Sequence, residues 1–131
     1  MPEQQKTILL IEDDQFLREL VYKALTGDPE LKEIKVEIAT AGNQAIEKLK
    51  QLGAELNLIL LDIILPEKNG YEILTFIQED PKLKTVPVVV LSNLGQEEKI
   101  QKAKQLGAKD FMIKAQTDTD QIVVKVKQYL T

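Results

Sequence analysis

An α/β fold, a (βα)5 doubly wound sheet of five parallel strands, is predicted for these 131 residues by two observations. Short continuous runs of Ile, Leu and Val recur along the chain, as strands buried on both faces of a parallel sheet require. Between them lie segments with apolar residues at helical spacing, so strand and helix patterns alternate five times. Right-handed crossovers then set helices on both faces and open all the strand ends on one edge.

The first strand is Thr7-Ile8-Leu9-Leu10-Ile11, which feeds a helix carrying Phe16, Leu17, Leu20, Val21 and Leu25. That helix closes near Gly27, with Pro29 as a stop signal just beyond. Val36-Glu37-Ile38-Ala39 reads as a short second strand, followed by a helix with Ala41, Ala45, Ile46, Leu49 and Leu52 that ends at Gly53. Asn57-Leu58-Ile59-Leu60-Leu61 is the third strand and delivers Asp62. A loop over residues 63–70 follows, with Asn69-Gly70 expected to make a tight turn before a helix from about Tyr71 to Gln78 that turns Ile73, Leu74 and Ile77 inward. Pro81 and Pro87 bracket a polar connection to Val88-Val89-Val90-Leu91, the most strand-like stretch, which delivers Ser92 and Asn93. A fourth helix is expected over about Gln96 to Leu106, closed by Gly107. Asp110-Phe111-Met112-Ile113 is the fifth strand and delivers Lys114; Thr117 or Asp118 then caps a last helix carrying Ile122, Val123, Val126, Tyr129 and Leu130.

Length and composition bound what this sheet can do. The chain is expected to hold one domain over residues 7–131 behind a short polar tail, residues 1–6. That tail lacks the apolar core of a secretory signal, and no aliphatic run is long enough to span a bilayer, so a cytoplasmic protein without membrane insertion is expected. Cysteine and histidine are both absent. Disulfides, thiolate nucleophiles, sulfur-built zinc sites and the usual neutral-pH general base are thereby excluded. A net charge of -4 argues against nucleic acid as the main partner.

The shared edge collects Glu12, Asp13, Asp62, Ser92 and Lys114. Two carboxylates ~4 Å apart repel by ~4 kcal/mol at an effective dielectric of ~20, so this cluster calls for a cation, a raised pKa or an ammonium. Mg2+ suits it, because Mg2+ takes oxygen ligands and is commonly held by one or two carboxylates plus a phosphate. Lys114 as a point charge and Ser92 as a hydroxyl donor would hold a phosphoryl group, with Asp62 as its acceptor. Each residue also has a plainer reading. Glu12, Asp13 and Asp14 would serve as caps of the first helix, Ser92 as a turn serine and Lys114 as a surface lysine. The lysines at 99, 102, 104 and 109 read as a solvated face.

In the order Ile11-Glu12-Asp13-Asp14, Leu61-Asp62-Ile63-Ile64-Leu65-Pro66, Asn69-Gly70, Leu91-Ser92 and Ile113-Lys114, the chain resembles the receiver domain of two-component response regulators, in its stand-alone, chemotaxis-regulator-like form. The resemblance spans nearly the whole chain. It implies a flavodoxin-like strand order 2-1-3-4-5, Asp62 as phosphoacceptor, and Mg2+ held by Glu12, Asp13, Asp62 and the backbone carbonyl of Ile64. It further implies Ser92 as switch hydroxyl, Lys114 as the phosphoryl contact and Phe111 at the position of the switch aromatic, against a plainer role for Phe111 in the core. The implied partners are a histidine kinase or phosphotransfer protein as donor and a downstream protein docking on the α4-β5-α5 face, around Lys99, Phe111, Lys125 and Tyr129. No catalysis beyond phosphoryl transfer to Asp62 and its hydrolysis is expected.

Two positions depart from the family pattern. Ala115 stands where the family usually has proline, commonly after a cis bond, which puts the placement of Lys114 in question. Asn93 stands where the family usually has a small residue, positioned to crowd the phosphoryl group or to bond it. Ile64 and Leu94, by analogy flanking the approach of water, imply slow loss of the phosphoryl group. A degenerate receiver that binds partners without phosphorylation is the alternative these departures support. A Mg2+-dependent aspartyl-phosphate hydrolase is disfavoured, because Ile64 stands where that chemistry needs a second aspartate.

Overall fold

The computed structural model describes residues 5–31 and 33–130. Strands β1 (Lys6–Ile11), β2 (Ile34–Ala39), β3 (Leu58–Leu61), β4 (Val88–Ser92) and β5 (Asp110–Ile113) form one sheet. Every pairing is parallel and the order is β2-β1-β3-β4-β5, the predicted arrangement. Helices α1 (Gln15–Thr26), α2 (Gly42–Leu52), α3 (Gly70–Glu79), α4 (Glu97–Gln105) and α5 (Thr119–Leu130) connect and follow the strands. Of the expected tail, residues 1–4 lie outside the described residues, while Lys6 already belongs to β1. Asn57 stands just outside β3; its Oδ1 accepts the Thr7 N–H at 2.8 Å and its own N–H donates to the Thr7 carbonyl at 2.9 Å.

The period of two along each strand divides the core between two layers. Leu9, Ile11, Ile59, Leu61, Val88 and Val90 face α2, α3 and α4, where they meet Leu49, Ile73, Leu74 and Ile77. Ile8, Leu10, Leu58, Leu60, Val89 and Leu91 face the opposite side and meet Val21 and Leu25 of α1 and Ile122, Val123 and Val126 of α5. Burial of such a Leu or Ile stabilises the fold by about 1.5–3 kcal/mol each, so the three central strands anchor the site-bearing edge. β2 and β5 are only partly buried. They are the sheet's edges, each with a strand on one side only.

Helix α1 is also turned differently from its apolar pattern. The line packed on the core is the half-buried Leu17 with the buried Val21 and Leu25, spaced four apart, which leaves Phe16 72% and Leu20 39% exposed beside it. Asp14 caps this helix, its Oδ1 accepting the Leu17 N–H at 3.0 Å.

Asn69-Gly70 is a helix start rather than the expected tight turn. Asn69 is the N-cap of α3 in a reciprocal capping box with Glu72, and Gly70 is the first helical residue. Its N–H donates to the Ile63 carbonyl at 2.7 Å, and a Cβ at Gly70 would lie 2.6 Å from the Asp62 carbonyl oxygen. Helix α3 thus leans directly on the loop that follows Asp62. Gly70→Ala is expected to destabilise the fold by about 1–3 kcal/mol through overpacking, read as a lower urea midpoint. An unchanged midpoint would contradict this contact.

Candidate functional site

Glu12, Asp13 and Asp62 are delivered together because β1 and β3 are neighbours in register, Ile11 opposite Leu61. One carboxylate oxygen from each lies within 4.8 Å of the others. Glu12 and Asp62 are buried, 2% and 5% exposed, whereas Asp13 faces solvent. The oxygens of the buried pair are already engaged. Glu12 Oε2 accepts the Asp14 N–H at 3.1 Å and Asp62 Oδ1 accepts the Ile64 N–H at 3.2 Å.

Lys114 reaches this pair from the end of β5. Its Nζ lies 2.7 Å from Glu12 Oε1 and 2.8 Å from Asp62 Oδ2, so one ammonium bridges two buried carboxylates. There is no cis peptide bond among the described residues, so the Lys114–Ala115 bond is trans, and the lysine takes its place without the family's proline. Burial alone would lower the lysine, but its bonds to Asp62 and Glu12 outweigh that and hold its pKa above the ordinary value. Glu12 behaves in the opposite sense. Burial first, and the charge of Asp62 as well, push its carboxyl up to about 7 against the lowering effect of Lys114.

Ser92 is fully buried at the end of β4, opposite Ile113, and its Oγ accepts the Leu94 N–H at a long 3.5 Å. The strand order sets Ser92 on the same edge as Asp62, since β3 and β4 are neighbours. Ile64, two residues past Asp62, is 58% exposed. Phe111 is half-buried against the α2–α4 layer of the core. Asn93 is exposed beside Ser92, and its Oδ1 accepts the Ala115 N–H at 3.1 Å.

The expected docking face wraps the β5 edge. Phe111 packs on one layer and Tyr129 on the other, with Lys125 Nζ 3.0 Å from Asp110 Oδ2 and the Tyr129 hydroxyl donating to that same oxygen at 3.3 Å. The lysines at 99, 102, 104 and 109 are exposed as expected, with Lys102 set 4.3 Å over the Tyr71 ring.

Two supporting residues escaped the motif pattern. Arg18 Nη1 donates to the carbonyls of Glu12 at 3.3 Å and Asp13 at 3.0 Å, tying the acidic turn back onto α1. Glu67, in left-handed backbone with φ 72°, accepts the Asn43 N–H at 3.2 Å. It thereby serves the start of α2, where the N-cap Ala41 has no side-chain acceptor. The spacing of Arg18, one turn into the helix after Asp14, was a usable signal; Glu67 offered none, because its partner lies 24 residues away.

A three-acid pocket with a bridging lysine at the carboxyl edge of a parallel (βα)5 sheet defines the class. The chain belongs to the response regulator receiver domain family, whose model matches residues 8–127. It is 34% identical over 110 residues to the chemotaxis protein CheY of Thermotoga maritima, covering 83% of this chain and 85% of that protein. It is 33% identical over 128 residues to a protein-glutamate methylesterase/protein-glutamine glutaminase of Syntrophomonas wolfei, covering 96% of this chain but 34% of that protein, so the chain spans about a third of this relative's length. Among solved structures, the phosphorylated cyanobacterial phytochrome response regulator RcpA matches with a TM-score of 0.81 at 33% identity, over 95% of this chain and 91% of that one. No helix among the described residues is long and apolar enough to cross a membrane.

Proposed function

We propose that this chain is a phosphorylation switch that accepts a phosphoryl group on Asp62 from a phosphohistidine of a kinase or phosphotransfer protein and signals as a stand-alone receiver. A carboxylate oxygen of Asp62 bonds to phosphorus as the P–N bond breaks; the electron pair stays with the imidazole, which leaves neutral with its proton on the other nitrogen. Transfer adds negative charge at Asp62, which Lys114 and Ser92 would sense. The switch is a shift in population between two arrangements of this edge, read by a downstream protein at the α4-β5-α5 face. The chain acts on no substrate other than its own aspartate.

The single observation that carries this reading is the bridge from Lys114 to Asp62 and Glu12 at 2.8 and 2.7 Å beside the open carboxylate of Asp13. The donor set fits Mg2+: oxygen ligands only, one of them exposed, within 4.8 Å of one another. Asp13 and Asp62 would hold it directly with the Ile64 carbonyl, and Glu12 through water. When bound, it would neutralise charge on the transferring oxygens. The lysine's placement beside an alanine favours an active receiver over a degenerate one.

Incubation with acetyl phosphate and Mg2+, followed by mass spectrometry, is expected to add one phosphoryl group, mapped to Asp62. An unmodified mass would defeat the proposal. Because Ile64 and the half-buried Leu94 are both apolar, the group is expected to persist for minutes after donor removal. A lifetime of seconds would show that these side chains do not exclude water.

A further inference from the structure

Two unusual positions of this chain meet in space. Asn93 follows the buried Ser92, and Ala115 follows the bridging Lys114; the Asn93 Oδ1 accepts the Ala115 N–H at 3.1 Å across 22 residues. In the β4–β5 ladder the last register pair is Ser92 with Ile113. Beyond it the side-chain amide of Asn93 carries the connection onward where the strands have ended. The same short segment is held from its other side. Lys114–Gln116 form a 3-10 turn, the Thr117 N–H donates to the Lys114 carbonyl at 3.2 Å, and the Thr117 hydroxyl donates to the Ile113 carbonyl at 2.7 Å.

Those Thr117 bonds secure the carbonyls of Ile113 and Lys114 but not the amide that follows Lys114. A proline at position 115 would restrict φ by its ring and bring no N–H. Alanine restores both the backbone freedom and the donor, and Asn93 takes that donor. The lysine stem is long and flexible, so its reach to Asp62 depends on where its backbone is held.

We propose that Asn93 is a positioning residue for phosphoryl acceptance, its side chain holding the backbone that aims Lys114 at Asp62. This deepens the phosphoryl-acceptance reading and rests on it. The segment that follows Ser92 and the turn that carries Lys114 are thereby joined by a side-chain bond in addition to the strand ladder.

The test is a double-mutant cycle in the full chain, with Asn93→Ala, Ala115→Pro and the combination. Phosphoryl uptake at Asp62 is followed against acetyl phosphate concentration with saturating Mg2+, and exchange of the Ala115 amide is followed by NMR. Asn93→Ala is expected to lower the maximal uptake rate about fivefold, the scale of one neutral hydrogen bond, with half-saturation unchanged. It is also expected to speed Ala115 amide exchange, while Asn93→Asp, which keeps the acceptor, retains slow exchange. In the Ala115→Pro background, Asn93→Ala is expected to cost nothing further. Equal rates for wild type and Asn93→Ala, an undiminished effect of Asn93→Ala in the Ala115→Pro background, or fast Ala115 exchange in the wild type would each overturn the assignment. If the wild type itself takes up no phosphoryl group, the functional reading fails and this role falls with it.

Discussion

Asp62→Asn is expected to take up no phosphoryl group from acetyl phosphate with Mg2+, the full loss of the modification seen in the wild type. The substitution preserves size and the acceptor for the Ile64 N–H, which lies 3.2 Å from Oδ1. It removes the anionic nucleophile and places an amide where Oδ2 now meets Lys114 Nζ at 2.8 Å. The ammonium is left with Glu12, 2.7 Å away on its other side. Glu12 simultaneously loses the nearby negative charge that helps to raise its pKa, so its carboxyl becomes more acidic in the variant. A folded Asp62→Asn protein that still gains a phosphoryl group would move the acceptor to another residue and remove the basis of the proposed function.

Stability is expected to fall as pH rises from about 5 to 8. Glu12 in the folded chain titrates at about 7 instead of its usual 4.5, the result of burial and of Asp62 beside it. Between those values the folded state keeps a proton that the unfolded state has lost. Stability is therefore greatest at the acid end of this window and declines toward pH 7, by at most about 3 kcal/mol at ~1.4 kcal/mol per pKa unit. The chain has no histidine, which leaves the window clear of the usual competing titration. The depressed carboxylates Asp28 and Glu37 act in the other direction, but below it. Urea unfolding at several pH values is the measurement, and Glu12→Gln is expected to flatten the slope.

Lys114→Met sharpens the same test. It leaves two buried carboxylates without their shared cation, a loss on the order of 3–5 kcal/mol at pH 8 and less at pH 5, where Glu12 holds a proton. Mg2+ is expected to restore part of that loss at pH 8. A pH-independent wild type, or a Lys114→Met protein as stable as the wild type at pH 8, would show that the bridge does not govern the energetics of this edge.

Much of this site was legible along the chain because parallel topology turns sequence order into spatial order. Once the aliphatic runs ending at Ile11, Leu61, Leu91 and Ile113 are strands, right-handed crossovers bring Glu12, Asp13, Asp62, Ser92 and Lys114 to one edge. Asp14 was legible as a cap for a local reason, since its partner Leu17 is three residues on. Readings that needed more than local pattern were the ones corrected. Phe16 and Leu20 are as apolar as a core stripe, yet α1 rolls Leu17, Val21 and Leu25 onto the sheet instead. Asn69-Gly70 has turn chemistry, but the capping box between Asn69 and Glu72 makes it the start of α3, and the close approach of Gly70 to Asp62 and Ile63 leaves no room for a side chain there.

The five-stranded architecture, and which side chains share its functional edge, can therefore be read from the residues alone, because both follow from periodicity and handedness. How those side chains pair emerges only in the folded chain. That Lys114 bridges Glu12 and Asp62, that Glu12 retains its proton toward neutral pH, that Glu67 serves the start of α2, and that Asn93 holds the amide beside Lys114 all depend on distances of a few ångströms between residues far apart in the chain. Hydrogen bonds and desolvation change steeply over such distances, and no local pattern of residues records them.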